Sequence, residues 1–166
     1  MRALVTYGSE RGGTQGIAEI VAAELRDHGI EVALLPAAGA TAAGFDAVVV
    51  GGALYAGRWH KDAVRFVKRN AAALRLVPVW LLSSGPIGEL ATREPDAPPV
   101  RRVARLMEKI AAQGHVTFAG RLEEHPDGLM ARMIAKKWSG DWRDEGAIRA
   151  WAATVAARLG ASSAAA

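Results

Sequence analysis

Five short apolar runs, at residues 3–7, 31–35, 47–51, 79–83 and 116–120, alternate with longer amphipathic stretches along the chain. A strand that is apolar at consecutive positions must be covered on both faces, and helices between the runs supply that cover. The stretches have the required periodicity. Ile17, Val21 and Leu25 recur at i, i+4 and i+8, and Val64, Val67, Ala71 and Leu74 form a second stripe. Val103, Leu106, Met107 and Ile110 form a third, and Ile148, Trp151, Ala152, Val155 and Leu159 a fourth. With right-handed crossovers, this pattern predicts an α/β fold: a three-layer, doubly wound, five-stranded parallel sheet in the order 2-1-3-4-5. A length of 166 residues with 51% hydrophobic content suits one domain, expected over 1–160. The small residues at 161–166 are expected to be a disordered tail.

Composition removes several classes of function. The chain has no cysteine, which excludes disulfides, thiolate metal sites, iron–sulfur clusters and cysteine nucleophiles, so redox chemistry would need a bound cofactor. No apolar stretch reaches the ~18 to 20 residues of a membrane span, and the N-terminus reads directly as a strand, so the expected location is cytoplasmic. Lys and Arg number 21 against 17 Asp and Glu, a net charge of +4. That excess favours anionic ligands, anionic lipid surfaces or acidic partners without choosing among them, but is too small and scattered to argue for nucleic acid. His28, His115 and His125 lack metal-ligand spacing, and no metal is expected.

Doubly wound sheets bind ligands beyond the C-terminal ends of their strands, near the switch point. Three polar or glycine-rich segments fall there: 8–14, 51–60 and 83–99. The first belongs to TYGSERGGTQG at 6–16 and runs directly into a helix. Glycines before a helix N-terminus expose backbone N–H groups at its positive end, an arrangement that binds phosphate. Each charge-assisted hydrogen bond there is worth roughly 1.5 to 3 kcal/mol. Missing residues narrow the choice. A triphosphate loop needs Gly-Lys-Ser/Thr, but Gly13 is followed by Thr14 and Gln15. Gly8, Gly12 and Gly13 do not have the Gly-x-Gly-x-x-Gly spacing of a dinucleotide site, and no acidic cluster marks a receiver domain. Ser9, Arg11, Gly12 and Thr14 remain, arranged as for a monophosphate; the alternative is an ordinary turn capped by Thr14.

The segment Tyr7-Gly8-Ser9-Glu10-Arg11-Gly12-Gly13-Thr14 resembles the flavodoxin phosphate loop, Thr/Ser-x-Thr/Ser-Gly-x-Thr. Residues 48–61, VVVGGALYAGRWHK, are similar to the second flavin loop of flavodoxin-domain proteins, particularly the menaquinone-dependent protoporphyrinogen oxidase branch. The resemblance extends to 118–122 and to 128–138. It implies a flavodoxin-like fold with non-covalently bound FMN, its phosphate held by Ser9, Arg11, Gly12, Gly13 and Thr14, with Glu10 in the same cofactor-binding segment. Arg11 departs from the pattern where a hydroxyl is expected: it either grips the phosphate bidentately or points to solvent.

A flavin ring gains from aromatic stacking, and Tyr55 and Trp59 stand in the second segment with Ala53, Leu54, Ala56 and Gly57. Trp59 packing as core is the competing expectation. Arg58 would balance the charge of reduced flavin or remain a solvated loop cation. In the third segment Ser84 and Gly85 would offer small groups to the polar edge of the ring. His60 reads either as a proton-transferring group or as a polar residue at a helix start. Between the fifth run and the last helix, LMARMIAKKW spans Leu129 to Trp138 with interleaved cations. This basic amphipathic stretch suits a peripheral membrane contact, a substrate lid or a helix packed at the sheet edge.

Three functions fit these residues. The first is an FMN-dependent oxidoreductase passing electrons from a reduced small-molecule substrate, such as protoporphyrinogen, to a quinone-like acceptor. The second is a flavodoxin-type carrier serving a redox partner protein, and the third a flavin-free binding module. No residue is assigned as a catalytic acid, base or nucleophile. Arg11→Ala is expected to weaken FMN binding and leave the fold intact; titration with FMN checks this, and unchanged affinity would remove Arg11 from the site.

Overall fold

The run at residues 3–5 is fully buried, with consecutive side chains in different cores: Ala3 and Val5 face one, Leu4 the other. This is the two-sided burial that the apolar run requires. The computed structural model describes residues 1–10, 12–85, 98–122 and 140–164. In chain order the first half contains β1 (Arg2–Gly8), α1 (Gly13–Asp27), β2 (Glu31–Pro36), β3 (Ala47–Tyr55), β4 (Arg58–Trp59), α2 (Lys61–Arg69) and α3 (Ala71–Leu74). The second contains β5 (Val79–Ser84), α4 (Arg101–Ile110), β6 (Gly114–Phe118), β7 (Arg121–Leu122), β8 (Gly140–Asp141) and α5 (Glu145–Ala164).

The parallel strands lie in the order β2-β1-β3-β5-β6, which is 2-1-3-4-5 when only the five long strands are counted. The two-residue β4 pairs antiparallel with the end of β3, and β7 and β8 form a separate antiparallel ribbon. α1 and α5 cover one face: Ile17, Val21 and Leu25 pack with Ile148, Val155 and Leu159 over Val5, Val49 and Leu82. Phe66, Val67, Leu74, Val103 and Ile110 pack on the other face over Leu4, Val48, Val50 and Leu81. Arg149 of α5 also bonds Glu24 of α1, Nη1 to Oε2 at 3.1 Å.

Four details differ from the sequence expectation. The second apolar stripe is divided at Asn70, which closes α2: its Nδ2 donates to the Phe66 carbonyl, and its Oδ1 accepts the Ala42 N–H. A short amide that satisfies local backbone groups competes with helix continuation. β6 lies two residues earlier than the run at 116–120, because His115 finds a partner in Ser83. α5 runs to Ala164, so residues 161–164 extend a helix instead of joining a disordered tail; adding Ala and Ser to a helix anchored by packing costs little. β3 continues through Gly51 and Gly52 to Tyr55 and turns back through Ala56 and Gly57, so 51–59 is a β-hairpin and not an open loop.

Both turn residues have positive φ, 47° at Ala56 and 71° at Gly57, as a two-residue type I′ turn demands. Ala56 bears the strain of that conformation, whereas Asn adopts it readily. Ala56→Asn is therefore expected to raise stability by about 0.5 to 1 kcal/mol. Urea denaturation checks this, with an unchanged or lower midpoint contradicting the turn assignment.

Candidate functional site

Parallel pairing brings the ends of β1, β3, β5 and β6 to one edge of the sheet. Gly8 pairs with Gly52, Ala53 with Ser84, and Ser84 with Phe118. The described residues that follow these strands therefore lie along one edge of the sheet.

α1 begins at this edge. Its N-cap is Gly12, with φ 72°, a conformation that favours glycine, and a Cβ there would meet nothing within 4 Å among the described residues. The first helical bond runs from the Gly16 N–H to the Gly12 carbonyl at 3.0 Å. Among the described residues no side chain caps the helix and no acidic residue lies in its first turn, so the N–H groups of Gly13, Thr14 and Gln15 have no side-chain acceptor there. A helix of fifteen residues with open amides attracts an anion. Ser9 is half-buried beside this end and Glu10 is exposed; Arg11 lies outside the described residues.

Thr14 has a structural partner that its spacing did not suggest. It is buried, and its Oγ1 lies 2.6 Å from Oγ of Ser84 at the end of β5. One hydroxyl donates to the other and so joins the first segment to the third, which leaves the acceptor's own proton and the Thr14 amide for an anion. Gly85 is required at the next junction: a Cβ there would approach the Leu54 carbonyl to 2.9 Å. A Cβ on Gly120 would in turn fall 3.3 Å from Gly85 Cα. The remaining third-segment residues, 86–97, lie outside the described residues, as do 129–138 and His125.

The two aromatic residues of the hairpin separate. Trp59 is only 5% exposed and lies across Gly52, where any Cβ would overlap the indole. It packs with Phe66 and Val50 and does not present a face to the crevice. Tyr55 is half-buried, with its ring edge-on to His60 at 6.4 Å between centroids. Of these two, Tyr55 is the one that stays outside the core. Ala53 is buried and its carbonyl accepts the His60 N–H at 2.8 Å, so it fastens the hairpin. Leu54 is half-buried, while Ala56, Gly57 and Arg58 are exposed at the tip.

The β7–β8 ribbon is a neighbour that sequence patterns did not reveal. Arg121 backbone atoms come within 3.5 Å of a Cβ position on Gly13, and a Cβ on Gly16 would overlap the Arg143 guanidinium. Two glycines three apart on one helix face were the available signal of this close approach. Arg143 bonds Asp141 through both arms, Nε to Oδ1 at 2.8 Å and Nη2 to Oδ2 at 2.5 Å. That bond holds the Asp141 carboxyl below its ordinary value. No helix among the described residues is long and apolar enough to cross a membrane.

A family model described as Flavodoxin domain matches residues 4–140. Among solved structures, a flavodoxin of Streptococcus pneumonia TIGR4 superposes with a TM-score of 0.64 at 19% identity, covering 95% of this chain and 99% of that one. A cysteine-to-serine mutant of flavodoxin from Pseudomonas aeruginosa gives 0.59 at 15% identity, over 95% and 97% of the two chains. Rubredoxin oxygen:oxidoreductase from the anaerobe Desulfovibrio gigas gives 0.65 at 13% identity, over 96% of this chain but 36% of that larger one. These identities carry the fold and not an activity. The sequence matches no curated protein.

On the α4 side of the sheet, His115 Nε2 lies 2.9 Å from Ser83 Oγ, and burial pushes its pKa down from 6.5 to about 4. The unfolded chain therefore takes up this proton more readily than the folded one. The contribution of neutral His115 to stability is complete above pH 6.5 and is lost as pH falls toward 4. His115→Gln should flatten the decline of Tm across that window; an equally steep decline in the variant would assign the acid sensitivity elsewhere.

Proposed function

The chain belongs to the flavodoxin-domain family, and on that premise we propose that it binds FMN non-covalently and acts as an FMN-dependent redox protein. One observation carries the reading: α1 opens uncapped at the strand-end crevice, with Gly12 in the left-handed conformation and space around it. A monophosphate fits that cradle. The amides of Gly13, Thr14 and Gln15 would hold it, with Ser9 beside them and Arg11 as a further candidate. Tyr55 would cover one face of the isoalloxazine, and the backbone at Leu54, Ala56, Gly57 and Gly85 would line its edge. The Thr14–Ser84 bond fixes the distance between the phosphate and ring ends of the site, and Trp59 supports the hairpin from beneath. Bound there, FMN would supply the one- and two-electron transfer that no side chain of this chain provides.

Between the two redox roles, the net charge of +4 supports an oxidoreductase acting on a reduced organic substrate with a quinone-like acceptor. Carriers of this fold dock on basic partners and would gain from the opposite sign. Protoporphyrinogen is the substrate to try first, on the resemblance of residues 48–61 alone.

Two measurements test these levels separately. Excess FMN should raise thermal stability, by about 2.7 kcal/mol at a hundredfold excess over Kd, and should develop bound-flavin absorbance; a colourless protein that FMN does not stabilise would end the reading. Reduced holoprotein mixed with a menaquinone analogue should reoxidise faster than free reduced FMN. Reoxidation no faster than free FMN would leave the carrier role.

A further inference from the structure

Glu10 poses a problem for an anion cradle. It stands two residues before the N-cap of α1, and a carboxylate there is drawn to the same open amides as a phosphate. Among the described residues those amides nonetheless carry no side-chain cap. The carboxylate lies elsewhere, with Oε1 3.7 Å from Nε2 of His60.

His60 is unusual for a histidine at a helix start, since its side chain is only 5% exposed. Nδ1 accepts the Asp62 N–H at 3.3 Å, which caps α2. An imidazole accepting at Nδ1 carries its proton on Nε2 when neutral. That Nε2 is buried and has no hydrogen-bond partner. A buried donor without an acceptor is costly, so an anion beside it is favoured. The ring is also confined. A Cβ on Gly8 would fall 2.8 Å from Nδ1, Tyr55 meets the ring edge-on, and Asp62 Oδ2 lies 3.9 Å from Nδ1. His60 therefore touches the first segment through Gly8 and Glu10, and the hairpin through Tyr55.

We propose that His60 is a positioning residue for the phosphate loop: the positive end of its Nε2–H, 3.7 Å from the Glu10 carboxylate, attracts that group away from the start of α1 and leaves the amides of Gly13, Thr14 and Gln15 open to a phosphate. This role rests on the FMN reading. Without His60, Glu10 is free to occupy the cradle and compete with the ligand. The effect falls on the phosphate half of the cofactor alone.

Riboflavin, which has the same ring and no phosphate, provides the control. FMN and riboflavin affinities are measured by flavin fluorescence for the wild type, His60→Asn, Glu10→Gln and the double variant. Asn keeps a side chain able to cap α2, and Glu10 is exposed, so both variants are compatible with the fold. His60→Asn should weaken FMN about three- to tenfold, the scale of carboxylate–phosphate repulsion across a partly hydrated loop, with riboflavin unchanged. Glu10→Gln should not weaken FMN, and in its background His60→Asn should have no further effect.

An unchanged FMN-to-riboflavin ratio in His60→Asn, a loss that persists in the Glu10→Gln background, or weaker FMN binding by Glu10→Gln itself overturns the positioning role alone. Wild-type protein that binds neither flavin, or both equally, overturns the phosphate reading and this role with it.

Discussion

The parallel register between β1 and β3 is the constraint on which the crevice depends. Pairing Gly8 with Gly52 sets the start of α1 against the strand that becomes the hairpin. The same register continues through β3 and β5, where Ala53 meets Ser84. Only with these ends aligned does the Thr14 hydroxyl reach Ser84, seventy residues later in the chain. A slip of one residue would turn every side chain of a strand to the opposite core and separate that pair. The buried strands resist such a slip because both faces are committed: Val49 belongs to the α1–α5 side, and Val48 and Val50 to the other.

Glycine has two distinct uses at this edge. Gly12 supplies a left-handed residue that opens a helix toward solvent. Gly52, Gly85 and Gly120 instead permit close packing: an indole lies on the first, Leu54 on the second, and the third rests against Gly85. The hairpin is therefore a rigid, core-backed structure whose tip alone is exposed. A rigid site loses less entropy on binding a ligand than one that must fold around it.

These differences explain which features were legible in the sequence. Strand order and layers followed from apolar runs buried on both faces, a property of consecutive residues such as those at 3–5. The continuation of β3 was hidden because Gly51 and Gly52 look like a loop until Trp59 is folded over them. Trp59 itself read equally as a ring platform or as core, since an aromatic among glycines has the same local signature whether it covers a ligand or its own backbone. Its burial depends on a two-residue turn led by Ala56, which is not a typical turn former. Thr14 and His60 were visible as residues but their partners were not: Ser84 and Glu10 are seventy and fifty positions away, and tertiary packing alone brings them near. The break at Asn70 is similar, because its amide is held partly by Ala42 from a distant loop.

The central claim is that the first turn of α1 receives the phosphate of a flavin whose ring lies at the hairpin. Backbone amide chemical shifts, followed residue by residue during titration with FMN and then riboflavin, address it most directly. Saturable shifts at Gly13, Thr14 and Gln15 with FMN, absent with riboflavin while residues 54–57 move with both, are the predicted result. FMN binding that leaves the amides of 13–15 unmoved would contradict it.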